Sequence, residues 1–136
     1  MLKTKLSSLL LIIFLISGCG SSIDEQTATK NIKSDFAKLK YFWDEHRSAE
    51  FIDFVNQTTY VSQPESHVVA LNLMRKKYGA VRYNTDLLIN HDTKKEHADR
   101  IAQIKMMAYS GNMKWTLLYN KAMKIIGYHV SGKLYK

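Results

Sequence analysis

The sequence predicts an α+β domain in which N-terminal helices pack on one face of a curved antiparallel sheet of about four strands, and three observations lead to it. Between Asn31 and Gly79 apolar residues recur at intervals of three and four, the period of a helix with one buried face. From Val81 onward the texture changes to alternation of apolar and polar residues, the period of a half-buried strand. Short turns separate the last strands, so neighbours in sequence pair as antiparallel neighbours in space. The composition agrees: over 136 residues, 46% are apolar and 24% charged, which excludes wholesale disorder and a fibrous repeat.

The first residues stand apart from that domain. Lys3 and Lys5 precede a run from Leu9 to Ile16, LLLIIFLI, without a polar side chain, a basic region followed by an apolar one as in an export signal. Crossing a bilayer takes roughly 20 apolar residues, and this run falls short, so it is expected to be removed rather than retained. Ile16-Ser17-Gly18-Cys19 follows, with Gly20-Ser21-Ser22 behind it. These residues resemble the lipobox of bacterial lipoproteins. The resemblance covers residues 1–22 and implies cleavage between Gly18 and Cys19, giving a signal peptide of residues 1–18. It also implies diacylation of the Cys19 sulfur, palmitate being the usual kind of chain, and a home on the cell envelope. Because Gly20 and not Asp follows the cysteine, the sorting rule of such lipoproteins sends the protein to the outer membrane, facing the periplasm; in a single-membrane host it is the outer face of the cell membrane. The position of the chain's only cysteine also removes any internal disulfide from consideration.

Residues 19–30 contain little that is apolar and read as the lipidated cysteine plus a flexible tether, leaving 31–136 as a single domain. Its first helix is expected from Asn31 to His46, with Phe36, Leu39, Phe42 and Trp43 on the core side. A second, short one spans Ser48 to Asn56, with Ser48 as a cap and Phe51, Ile52, Phe54 and Val55 as its apolar residues. In the third, Ser62 and Glu65 have capping-box spacing, Pro64 lies in the first turn, and Gly79 ends the helix after Arg75, Lys76 and Lys77. Val68, Val69, Leu71, Leu73 and Met74 supply its apolar surface.

Strands are expected at Val81 to Ile89, Ile101 to Tyr109, Lys114 to Asn120 and Met123 to Val130, with a turn at Ser110-Gly111-Asn112 and a tail loosened by Ser131 and Gly132. Ala102, Ile104, Met106 and Ala108 share one face of the second strand, and Trp115, Leu117 and Tyr119 one face of the third. The order is similar to that of cystatin-like, or nuclear-transport-factor-like, cone proteins, and Ser34 to Val130 resembles small bacterial lipoproteins of unknown function with that fold. The residues carrying the likeness are Lys77-Tyr78-Gly79, the strand pair around Gly111, and Lys124-Ile125-Ile126-Gly127-Tyr128, where Met123 stands in place of the family's Trp.

Enzymes of the cone type place polar groups between helices and sheet. The matching candidates are Asp53, Tyr60, Tyr83, Asp86, Tyr119, Tyr128 and His129, of which Asp86 with His129 is the pair to test, though no spacing forces any of them together. His91 to Asp99 holds two histidines and three carboxylates, suitable ligands for a divalent ion, but Lys94 and Lys95 lie among them and no His-x-x-x-His spacing occurs. It reads as a solvated loop, and no metal or cofactor is expected. Phosphate-loop, nucleophile-elbow and His-Glu-x-x-His motifs do not occur.

The 20 basic residues against 12 acidic ones give a net charge of +8. A basic surface suits an acidic partner at the membrane surface, and export argues against nucleic acid. Tyr41, Trp43, Tyr60, Tyr78, Tyr109 and Tyr119 are candidates for an exposed aromatic patch that would suit a protein partner. The expectation is therefore a lipid-anchored, non-enzymatic envelope protein that binds a protein partner or small ligand. Its sharpest form is an immunity or exclusion lipoprotein; the alternative is a small isomerase or hydrolase using the cone pocket.

Overall fold

A computed structural model describes residues 23–91 and 97–136. Among them run α1 (Glu25–Asp44), α2 (Ser48–Val55), α3 (Pro64–Tyr78), β1 (Val81–Asn90), β2 (Arg100–Ala108), β3 (Gly111–Tyr119) and β4 (Ile125–Leu134). The strands form an antiparallel meander in the order β1-β2-β3-β4, an open sheet with the helices preceding it in the chain. This is the α+β class that the change of period at Gly79 predicts. Residues 1–22, with Gly18 and Cys19, and residues 92–96 lie outside the described residues.

α1 begins six residues before the expected Asn31, inside the stretch that composition assigns to the tether. Asp24 caps it, accepting the Thr27 N–H at 2.8 Å and the Thr27 hydroxyl at 2.9 Å, and the Thr27 N–H holds the Asp24 carboxyl below its usual range. A second tie comes from the sheet, where the buried Arg100 guanidinium reaches Glu25 at 3.2 Å and Asp99 at 3.0 Å. Ala28, Ile32, Phe36, Leu39 and Trp43 then follow at helical spacing along the buried stripe.

At its other end α1 is closed by groups from far along the chain. Arg75 on α3 donates to the Trp43 and Asp44 carbonyls at 2.9 and 3.3 Å, neutralising acceptors that a helix C-terminus leaves over. Asp44 accepts the Val81 N–H at 2.9 Å, and the Trp43 indole donates to the Gly79 carbonyl at 2.9 Å. These bonds pin the start of β1 to the end of α1.

The other expected caps give way to tertiary packing. Ser48 is the buried first residue of α2, with Arg47 at the cap position, and α3 is entered through Gln63 with no side-chain cap, so the Ser62–Glu65 box is not formed. α3 buries Leu71 and Tyr78, whereas Val69 and Leu73, expected in the core, are 58% and 65% exposed. Gly79 does end the helix, with φ +82° and ψ −171°, a combination open essentially to glycine alone.

The alternation expected for β2 and β3 is present: Ala102, Ile104, Met106 and Ala108 with Met113, Trp115, Leu117 and Tyr119 form the helix-facing side. β4 runs four residues past the expected Val130, through Ser131 and Gly132, which pair with Lys114 and Met113. Gly132 is needed there for a reason other than looseness. A Cβ on it would lie 2.7 Å from the Tyr78 ring, which packs over β3 and β4 at this point.

Candidate functional site

In a helix-on-sheet fold the first place to look for chemistry is between the layers. Here that space is filled by a chain of rings: Trp43 packs on Trp115 at 5.5 Å, Trp115 meets Phe51 edge-on at 5.4 Å, and Phe51 meets Tyr128 at 6.2 Å. Tyr119, wholly buried, donates its hydroxyl to Asp35 on α1 at 2.8 Å. Burial raises the Asp35 carboxyl above its usual range, opposed by that hydrogen bond and by Lys38, while burial and then the neighbouring Asp35 raise the Tyr119 hydroxyl. The pair ties α1 to β3.

One polar cluster assembles at the β4 edge of the layers. The Tyr128 hydroxyl lies 2.6 Å from His67 Nδ1, and the Tyr60 ring stands 6.4 Å from that of Tyr128. Burial pushes both phenols above their usual range, and the Tyr60 hydroxyl is buried without a hydrogen-bond partner among the described residues. The two tyrosines were candidates on sequence; His67 was not. Its signal was the spacing of His67, Leu71, Met74 and Tyr78, which puts all four on one helix face.

The remaining candidates scatter. Asp53 is exposed on α2, beside a groove of about 440 Å³ between α2 and α3 that Ile52, Val68 and Val69 also line. Tyr83 is 54% exposed on β1, and Asp86, with φ +57°, occupies the irregularity between Thr85 and Leu88. His129 is exposed on β4. With Asp86 and His129 on opposite edge strands of a four-stranded sheet, three spacings of about 4.8 Å put them roughly 14 Å apart. The Asp86–His129 pair does not form.

Of the loop with metal-ligand composition, His91, His97 and Asp99 are described, and His97 is exposed with φ +54°. His91 lies 3.3 Å from Glu25 and Asp99 pairs with Arg100, so both serve the first turn of α1. The Arg100 hydrogen bond is the main cause that holds the Glu25 carboxyl below its usual range. Among the described residues no three His, Cys, Asp or Glu side chains gather as metal ligands. The expected aromatic patch is divided as well. Trp43, Tyr78 and Tyr119 are core residues, while Tyr41 and Tyr109 are exposed under the separate guanidiniums of Arg47 and Arg82.

The sheet's other face is left open by the helices, and strand register arranges it in rows. Tyr83, Met107, Asn112 and Lys133 form one row, Thr85, Lys105, Lys114 and Ser131 the next. Leu88, Gln103, Thr116 and His129 make the third, and Asn90, Ile101, Leu118 and Gly127 the last. The rows thus pass from a cationic end to an apolar end. Two depressions, about 400 and 530 Å³, indent this face and share Lys114 and Ser131. A third, of about 390 Å³, also has Lys114 in its wall. Sequence alternation could mark Lys105 and Lys114 as outward residues, but their direct opposition depends on the register set by the turn at Tyr109 and Ser110.

Compared with known proteins, the chain matches no family model, no curated protein and no solved structure. Among the described residues no helix is long and apolar enough to cross a membrane.

Proposed function

We propose that this chain is a lipid-anchored envelope lipoprotein of the cone type whose domain works by binding a protein partner or small ligand at the membrane surface. The observation that carries the binding role is the division of the molecule. The space between the layers is filled by Trp43, Trp115, Phe51 and Tyr119, whereas the exposed sheet face carries three depressions bordered by Lys114. The anchoring role rests on the lipobox likeness at Cys19, the chain's only cysteine. Acyl chains at about 0.8 kcal/mol per buried CH₂ would hold the protein on a bilayer when two or three are attached.

The early start of α1 sharpens the consequence. Only Gly20 to Ile23 separate Cys19 from the capping Asp24, a reach of about 17 Å when fully extended. A domain tethered so closely works within its own diameter of the membrane, as an immunity or exclusion lipoprotein would when it intercepts a toxin or a conjugative apparatus there. Two experiments test this reading. Cys19→Ser should move the protein out of the membrane fraction, and unchanged tight membrane association defeats the anchor. Cells carrying the wild-type chain should survive a cognate toxin or resist conjugation better than cells carrying Cys19→Ser; equal behaviour in both challenges removes the immunity or exclusion role.

A second reading, a small isomerase or hydrolase, is favoured by one feature, the His67–Tyr128 contact beside Tyr60. Turnover abolished by His67→Ala but retained by Lys114→Ala would establish it over the binding role.

A further inference from the structure

On the open face of the sheet, the register brings Lys105 and Lys114 directly opposite each other across β2 and β3. Like charges in that position repel and destabilise the pair, so the arrangement costs the fold something and calls for a counter-charge. Asp86 supplies one only to Lys105, at 3.9 Å between side chains each more than 60% exposed. Among the described residues Lys114 and Lys133 have no carboxylate within ion-pair distance. Lys133 sits one row away on β4, next to Ser131, the residue paired with Lys114. Three cations therefore border two adjoining depressions, and Asp86 is the single acidic residue on their walls.

We infer that this face is the docking surface for a carboxylate-rich segment of a protein partner, with Lys105, Lys114 and Lys133 receiving its acidic side chains. Ile101 and Leu118, about 13 Å from Lys105 and Lys114 along the strands, and Gly127 in the same row receive apolar ones. The shape of the face decides for a polypeptide over an anionic bilayer. Gln103, Thr116 and Ser131 lie recessed in the depressions, with Thr116 only 8% exposed, and a planar headgroup surface would touch the rim and leave them unreached. Side chains of a peptide laid across the strands enter such recesses. The inference rests on the binding role proposed above and names its surface and the chemistry of the partner.

The test uses the full chain in zwitterionic detergent micelles and a fluorescently labelled, Glu-rich peptide of a dozen residues containing two leucines, followed by anisotropy. Binding should weaken steeply with salt. Lys114→Ala should weaken it roughly fivefold, the upper range for one exposed ion pair, and Lys114→Glu about tenfold or more. Lys76→Glu, on the exposed side of α3, should leave it within twofold, and thermal unfolding of each variant checks that the fold is retained. Absence of binding at low salt, or equal losses in the Lys114 and Lys76 variants, overturns the inference. So does protection of the three lysines from acetylation in anionic but not zwitterionic vesicles without peptide, which would make the bilayer the occupant. If the peptide fails while the anchored chain still protects cells against a toxin or conjugation, the surface is wrong and the binding role stands; loss of both removes the role itself.

Discussion

Tyr119→Phe removes one hydroxyl from a residue with no solvent exposure and leaves the packing of its ring in place. What is lost is the 2.8 Å bond to Asp35, the link between α1 and β3. Hydrogen bonds to charged groups contribute about 1.5–3 kcal/mol. Because Asp35 is only half-buried and water can partly replace the donor, about 1–2 kcal/mol is the expected loss at pH 7. At about 4 °C per kcal/mol for a domain of this size, thermal unfolding followed by circular dichroism should fall by about 4–8 °C. The pH dependence is diagnostic. Burial raises the folded-state pKa of Asp35 above its unfolded value, so the protonated form is the better tolerated one, and stability drains away as pH rises through the folded value. The Tyr119 hydroxyl lessens that drain by favouring the carboxylate. Without it the pKa rises further, so the deficit of Tyr119→Phe should be largest at pH 7 and shrink at pH 3, where Asp35 is neutral in both proteins. In an Asp35→Asn background the same substitution should cost about 1 kcal/mol or less, since no charge is left unpartnered. Equal deficits at pH 3 and pH 7 would refute the assignment of this contact as a charge-assisted bond.

Asp44→Ala should destabilise by about 1–3 kcal/mol, because the Val81 N–H loses its acceptor at the junction of α1 and β1; Asp44→Asn, which keeps an oxygen there, should recover most of that in urea unfolding. Gly132→Ala should cost about 1–3 kcal/mol by driving a methyl into the Tyr78 ring, and a double-mutant cycle with Tyr78→Leu should show most of the penalty gone; additive effects would rule the clash out. Glu25→Gln should speed amide hydrogen exchange in the first turn of α1 at pH 7 without altering the core. In the wild type the same fraying should set in as pH falls through the lowered Glu25 pKa, since the stabilisation of a depressed carboxyl is present above its unfolded pKa and lost on acidification.

The sites where sequence and structure part company have a common cause. Period and alternation are local properties, and they located every element from α1 to β4 because each buries a face against the other layer. Ends are settled by partners far away in the chain. α1 starts six residues early because Asp24 caps it locally and Arg100, 75 positions on, reaches Glu25; nothing within residues 20–30 reports the second tie. Ser48 and Ser62 have capping chemistry, yet Ser48 is drawn into the core and α3 starts at Pro64 without a side-chain cap. Gly132 reads as slack because a glycine at a strand end is a loosening signal, whereas its missing side chain is the space that Tyr78 occupies. Convergence of candidate side chains is likewise a matter of register and crossing, which is why Tyr60 and Tyr128 meet while Asp86 and His129 do not.

Tyr78, Trp43 and Tyr119 cannot be exposed for recognition without giving up the contacts that join helices to sheet, so aromatic content alone was a poor guide to an interaction surface. The outward rows of the sheet carry no such burden, since alternation makes each outward residue independent of the inward one beside it. Lys105 and Lys114 could therefore change without touching Ile104 or Trp115. That they stand opposed instead of paired with acids is a cost the packing of the core does not require, and a partner bringing carboxylates to that face would offset it. A chain held within about 17 Å of a membrane at one end would keep that face near the bilayer, which raises the effective concentration of any partner confined to the same surface.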